Sequence, residues 1–312
     1  MANAGLGKLF AKGSSLHEQR TSEQDALSKP SSRVTFTPII HMITFQHPPK
    51  ACLTLAVCLC CAISVVAQQT PKERLEKTPR HLEWVKVKNG SREVNCFIGF
   101  PEVKEKATAV IVIHEIFGLT DWVRGVVDQL AEAGYIAIAP DLLSGAAPGG
   151  GGTADFSAGD AVRRAITSLP KDQITGDLNA VKEHVIKLPA CNGKVAVGGF
   201  CWGGSETFRY AANGTGLKAA FVFYGSGPST EDGVQSISCP VYGFYGGNDA
   251  RVTSTVEKTA ELMKKADKKF EPVTYEEAGH GFMRAGEASD ASEANKKART
   301  EAWKRWKDLL KH

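Results

Sequence analysis

Apolar and polar residues alternate over Trp84–Lys88, and Val94–Phe100, ended by Pro101, reads as the return strand. A period of two predicts strands with one buried face. Asn89-Gly90 between them predicts a two-residue hairpin turn. Beyond Pro101 the alternation gives way to short apolar runs, Ala109–Ile113 and Tyr135–Ala139, and Val195–Phe200, Ala219–Tyr224, Val241–Tyr245 and Phe270–Tyr275 read as four more strands. Such runs are expected of parallel strands covered on both faces. Helical spacing falls between them. Trp122–Ala133 puts Val123, Val126, Val127 and Leu130 on one face, and Gln173–Leu188 follows the same period. Ser254–Ala266 opens on Ser254-Thr255-Val256-Glu257, a capping-box pattern. The last helix, about Ser289–Leu310, gathers Trp303, Trp306 and Leu310 on one side. Gly145–Gly159 is Gly-rich and aperiodic, hence a loop. A hairpin followed by alternating strands and helices predicts the α/β class: a doubly wound, mostly parallel sheet with an N-terminal antiparallel hairpin. No repeat or internal linker interrupts 84–312, so it reads as one domain. The charged, Pro-flanked stretch within 68–83 reads as a linker.

The N-terminal fifth follows a different pattern. Ala51–Ala67 is apolar and free of charge, and it contains Cys52, Cys58, Cys60 and Cys61. Without a His or carboxylate among them, these cysteines read as small hydrophobes and not as metal ligands. Lys50 precedes the run, and Val65-Val66-Ala67 closes it before polar Gln68-Gln69. A basic residue, an apolar run and small residues, in that order, predict an export signal over 42–67. Cleavage is expected after Ala67, giving a secreted or periplasmic protein; an uncleaved anchor is the alternative. Residues 1–41 are aperiodic and polar, either a disordered extension or sequence upstream of a true start at Met42.

Composition adds an exclusion. Hydrophobic residues make up 42% and charged residues 23%, enough apolar material for a substantial core. Removing residues 1–67 from the count leaves 32 basic against 31 acidic residues. No basic patch calls for nucleic acid.

The chemistry concentrates in Gly199-Phe200-Cys201-Trp202-Gly203-Gly204, between an apolar strand and a helix. This is the frame of a nucleophile elbow with Cys in the Ser position. Glycines on either side let strand and helix approach closely, and the helix N-terminus favours a thiolate. Asp249 follows the strand Val241–Tyr245 through Gly246-Gly247-Asn248. His280, in Ala278-Gly279-His280-Gly281-Phe282, follows the strand Phe270–Tyr275. Nucleophile, acid and base therefore occur in the chain order used by α/β-hydrolases. The remaining cysteines, Cys96, Cys191 and Cys239, read as buried thiols. A Cys191–Cys239 bridge is not expected, because strand 219–224 should lie between them.

His114-Glu115-Ile116-Phe117-Gly118, Pro140-Asp141-Leu142, Gly199–Gly204, Tyr224-Gly225 and Ala278–Phe282 together resemble the dienelactone hydrolase family, from about Trp84 to His312. The resemblance implies an α/β-hydrolase fold and hydrolysis of an ester or lactone by a Cys201–Asp249–His280 triad, without cofactor or metal. It further implies that Glu115 holds the resting thiol and helps activate it. The amides of Ile116 and Trp202 would form the oxyanion hole, and Arg284 would contact Glu115 and a substrate carboxylate. A second arginine of the family, after the Pro-Asp-Leu segment, has no match in the Arg-free stretch 145–160. That departure argues against dienelactone itself as substrate. His114 is read as a supporting or packing residue with no catalytic step. The expected partner is a small-molecule ester or lactone, with no nucleic acid, no membrane partner unless the export segment is retained, and a monomeric state. A catalytically silent binding module on the same fold is the alternative.

Overall fold

The computed structural model describes residues 69–312. The export segment and the extension expected over 1–67 lie outside the described residues.

The eight strands are β1 (Leu82–Asn89), β2 (Arg92–Gly99), β3 (Ala107–Ile113), β4 (Ile136–Pro140), β5 (Cys191–Phe200), β6 (Leu217–Phe223), β7 (Val241–Gly246) and β8 (Phe270–Tyr275). They form one sheet in the order β1-β2-β4-β3-β5-β6-β7-β8. β1 pairs antiparallel with β2, and β2 antiparallel with β4; every other pairing is parallel. This is the α/β-hydrolase arrangement. The helices are α1 (Pro71–Lys77), α2 (Asp121–Glu132), α3 (Gly159–Thr167), α4 (Lys171–Ile186), α5 (Trp202–Asn213), α6 (Asp232–Gln235), α7 (Ala250–Thr253), α8 (Val256–Lys265), α9 (Phe282–Ala285) and α10 (Glu293–Lys311).

The apolar runs form central strands because both faces are covered. In β3, Ala109, Ile111 and Ile113 point into a cluster roofed by α4, α5 and α8. Val110 and Val112 point the other way, toward the side chains of α2 and α10. Every β3 residue is buried. The chain leaves β3 to one neighbour, β4, and returns on the other side as β5. That reversal opens a crevice at the carboxyl ends of β3 and β5, where ligands bind in open α/β sheets.

Three local expectations need correction. The stretch read as a linker holds α1, because Thr70-Pro71-Lys72-Glu73 makes a true capping box: Glu73 N–H donates to Thr70 Oγ1, and Thr70 N–H donates to the Glu73 carboxylate. The Ser254–Glu257 pattern does not cap. Thr255 stands at the N-cap with helical φ and ψ, and its hydroxyl donates instead to the Val252 carbonyl of the preceding turn. In the hairpin, Asn89 pairs with Arg92, so Gly90 and Ser91 make the turn, with Gly90 at φ 61°. Asn89 Nδ2 is engaged elsewhere, donating to buried Asp177.

Candidate active site

β5 ends in register with its neighbours: Gly199 lies beside Ile113 of β3, and Phe200 beside Phe223 of β6. The chain then turns sharply into α5. Cys201 carries the turn at φ 57° and ψ −117°, a backbone conformation that costs energy for any residue with a Cβ. Two glycines make the turn possible. A Cβ on Gly199 would stand 2.2 Å from the Gly203 carbonyl oxygen, and one on Gly203 would stand 2.3 Å from that of His114. Strand, helix and the 113–115 segment are thus in backbone contact around the thiol. Trp202 is the first residue of α5, so its N–H belongs to the turn that a helix leaves without internal partners.

The loops after β7 and β8 bring the acid and the histidine to this point. They are tied to each other, since Gly247 N–H donates to the Tyr275 carbonyl and Asn248 N–H to the Ala278 carbonyl. His280 Nδ1 lies 2.5 Å from Asp249 Oδ2, and His280 Nε2 lies 3.1 Å from Cys201 Sγ. Asp249 is buried and the His280 side chain is partly exposed. The hydrogen bond with Cys201 raises the His280 pKa above its ordinary value; Asp249 adds to the rise and burial opposes it.

Glu115, two residues beyond β3, is 2% exposed. Arg284 Nε donates to its Oε2 at 2.8 Å. Burial pushes the Glu115 carboxyl up from its ordinary value, while the Arg284 charge and hydrogen bond draw it down. The resemblance placed Glu115 on the resting thiol; in this structure Glu115 is engaged by Arg284 and the thiol faces His280. Ile116, Trp202, Ser205, Tyr224 and Arg251 line a cavity of about 330 Å³ against Cys201. Ser205 and Ser226, joined by a 2.9 Å hydrogen bond, also line a neighbouring groove of about 580 Å³. Among the described residues, no group of three or more His, Cys, Asp or Glu could hold a metal ion. Cys96, Cys191 and Cys239 are free, buried thiols, and β6 separates the last two as expected.

Several contacts of the site escaped the sequence reading. Arg251, two residues past Asp249, has Nη2 3.5 Å from His280 Nδ1. The Tyr224 ring stands edge-on to the His280 ring with centroids 5.1 Å apart. Asn295 of α10 accepts the Gly279 N–H and so holds the histidine loop. Arg163 and Arg284 both stack on Phe117, with guanidinium carbons 5.6 and 5.2 Å from the ring centre. Proximity to Asp249 in sequence was a usable signal for Arg251; the others meet only through the fold.

Comparison with known proteins shows the family. The family model for the dienelactone hydrolase family matches residues 94–312. A carboxymethylenebutenolidase from Pseudomonas putida is 30% identical over 211 residues, covering 65% of this chain and 87% of that protein. A Salmonella typhimurium protein, provisionally named a carboxymethylenebutenolidase, is 34% identical over 188 residues, covering 55% of this chain and 67% of that one. A Klebsiella pneumoniae crystal structure, provisionally named a dienelactone hydrolase, has a TM-score of 0.66 at 26% identity, covering 75% of this chain and all of that one.

Proposed function

Because the chain belongs to the dienelactone hydrolase family and is a carboxylic ester hydrolase, we propose that it cleaves a small ester or lactone through a thioester on Cys201. The observation that carries this reading is the continuous chain Cys201 Sγ, His280, Asp249, with separations of 3.1 and 2.5 Å. With its Nδ1 proton donated to Asp249, His280 presents the Nε2 lone pair to the thiol. Sγ attacks the substrate carbonyl carbon as its proton passes to Nε2. The carbonyl oxygen becomes an oxyanion facing the amides of Ile116 and Trp202. Collapse expels the alcohol oxygen, which takes the proton from His280 and leaves the acyl group on sulfur. Water then attacks the thioester while His280 accepts its proton; release of the acid returns the thiol.

Arg284 holds the buried Glu115 carboxyl by a hydrogen bond and draws its pKa down against the effect of burial. A substrate carboxylate that competes for Arg284 would free Glu115 to act on the thiol. The roughly 330 Å³ cavity suits a small acyl group, and the adjoining groove leaves room for a longer alcohol or acid portion. We also propose that the protein is exported and processed after Ala67, on the strength of the 42–67 pattern.

Mass spectrometry of the protein after brief exposure to a panel of chromogenic esters and lactones tests the central reading. The expected result is an acyl adduct on Cys201. Cys201→Ala should abolish turnover, while Cys191→Ala and Cys239→Ala, at buried thiols remote from the elbow, should keep most of it. Comparable losses in all three would make the cysteines structural and overturn the reading.

A further inference from the structure

His114 is fully buried at the end of β3 and has no role in the steps above. Its Nδ1 lies 2.8 Å from the Glu115 carbonyl oxygen. A carbonyl can only accept, so Nδ1 carries the proton. That carbonyl shares a planar, trans peptide unit with the N–H of Ile116, in which C=O and N–H point in opposite directions. A donor fixed on the oxygen therefore fixes the line along which the Ile116 N–H points. Gly118 N–H, at 3.1 Å, grips the same oxygen and leaves the peptide little freedom to turn. The other side of the imidazole faces the Trp202 side chain, with ring centroids 5.5 Å apart and planes 17° from parallel. Ile116 and Trp202 supply the two amides assigned above to the oxyanion. One side chain thus pins the peptide that carries one amide and stacks on the side chain of the residue that carries the other.

The same ring has an energetic cost. His114 Nε2 is buried with no hydrogen-bond partner. An unpaired buried acceptor is costly, and an apolar ring of similar size would avoid the cost. Packing does not account for an imidazole here, whereas a requirement for its Nδ1 donor does. Local rules broken without a gain in stability mark sites under functional constraint.

We propose that His114 is a positioning residue that aligns both oxyanion donors, through its hydrogen bond to the Glu115–Ile116 peptide and its stacking on Trp202. The proposal rests on the thioester reading and deepens it. His114 takes no proton in the reaction and touches no substrate atom.

Two variants separate aiming from packing. His114→Phe keeps a flat ring against Trp202 and removes the donor. His114→Asn places an amide N–H close to where Nδ1 stands. Steady-state kinetics on a 4-nitrophenyl ester, urea unfolding and acyl-adduct mass spectrometry are run on both variants and on the unaltered protein. Loss of one oxyanion donor costs about 100- to 1000-fold in kcat, and a misaimed donor part of that. His114→Phe should therefore lose about 10- to 100-fold in kcat at nearly constant KM. It should be at least as stable as the unaltered protein, and His114→Asn should recover most of the rate. A His114→Phe protein that turns over at full speed, fails to fold, or loses stability in step with rate would overturn the proposal. So would an Asn variant no faster than Phe. If the unaltered protein forms no adduct on Cys201, the thioester reading itself falls; if it does and His114→Phe is fast, only the present inference falls.

Discussion

Arg284→Ala would leave a buried carboxylate without its counter-charge. Removing one partner of a buried ion pair costs about 3–5 kcal/mol, because the other charge stays desolvated. Glu115 is 2% exposed, but the Arg284 side chain is 44% exposed, so water screens that end of the pair. About 2–3 kcal/mol is the reduction to expect near pH 8. The pH dependence gives the sharper test. Burial already raises Glu115 above its ordinary value, and Arg284 is what draws it back down. Without Arg284 the folded-state value rises further. A carboxyl with a folded pKa above its unfolded one binds more protons when folded, so its contribution to stability falls as pH rises through that window. The variant's penalty should be greatest above the raised value. It should shrink as the pH falls through that window, where Glu115 takes up a proton instead of staying charged. Urea unfolding of both proteins near pH 5, 6.5 and 8 measures this. Adding Glu115→Gln to Arg284→Ala should recover most of the loss near pH 8. A penalty equal at all three values and untouched by Glu115→Gln would refute the argument. Arg284 would then act through its 5.2 Å stacking on Phe117.

Gly203→Ala would drive a Cβ to within 2.3 and 2.5 Å of the His114 and Ile113 carbonyl oxygens. Both are backbone atoms of the segment leading to the oxyanion amides, so urea unfolding should show a loss of about 2–4 kcal/mol together with reduced turnover. N-terminal sequencing of protein recovered outside the producing cell should begin at Gln68. A full-length product held in the membrane would exclude cleavage after Ala67 and leave the anchor.

The central strands from β3 to β7 could be read from sequence because burial on both faces leaves an apolar run; β8, an edge strand in which only Tyr275 is buried, begins and ends at the expected residues without that signal. That Cys201, Asp249 and His280 converge could be read for a related reason. Each follows a strand within a Gly-rich turn, so local pattern and sheet topology point to one edge. Local pattern failed where two local rules competed. The Thr70–Glu73 box was hidden by the charges around it, while the Ser254–Glu257 box was pre-empted by the short helix α7 just ahead of it. Contacts made by tertiary structure alone left no trace. Glu115 and Arg284 are 169 residues apart; the family resemblance implied their contact, but nothing in the local pattern of either segment shows it. The tie from Asn295 to Gly279, and the stacking of His114 on Trp202, likewise exist only once the sheet has formed.

The C-terminal helix gives the site a timetable. Trp306 of α10 packs edge-on to Phe200, next to the nucleophile, and fills the space that a Cβ on Gly198 would need. Arg305 donates to carbonyls of β7 and β8, and Asn295 holds the histidine loop. One element therefore braces the strands that lead to Cys201, Asp249 and His280 alike, and it is the last described element to be synthesised. Until α10 docks, Gly198 faces an empty slot and the loop bearing His280 lacks its anchor. A chain truncated ahead of α10 would make the elbow motif without the helix that braces the strands and the loop around it.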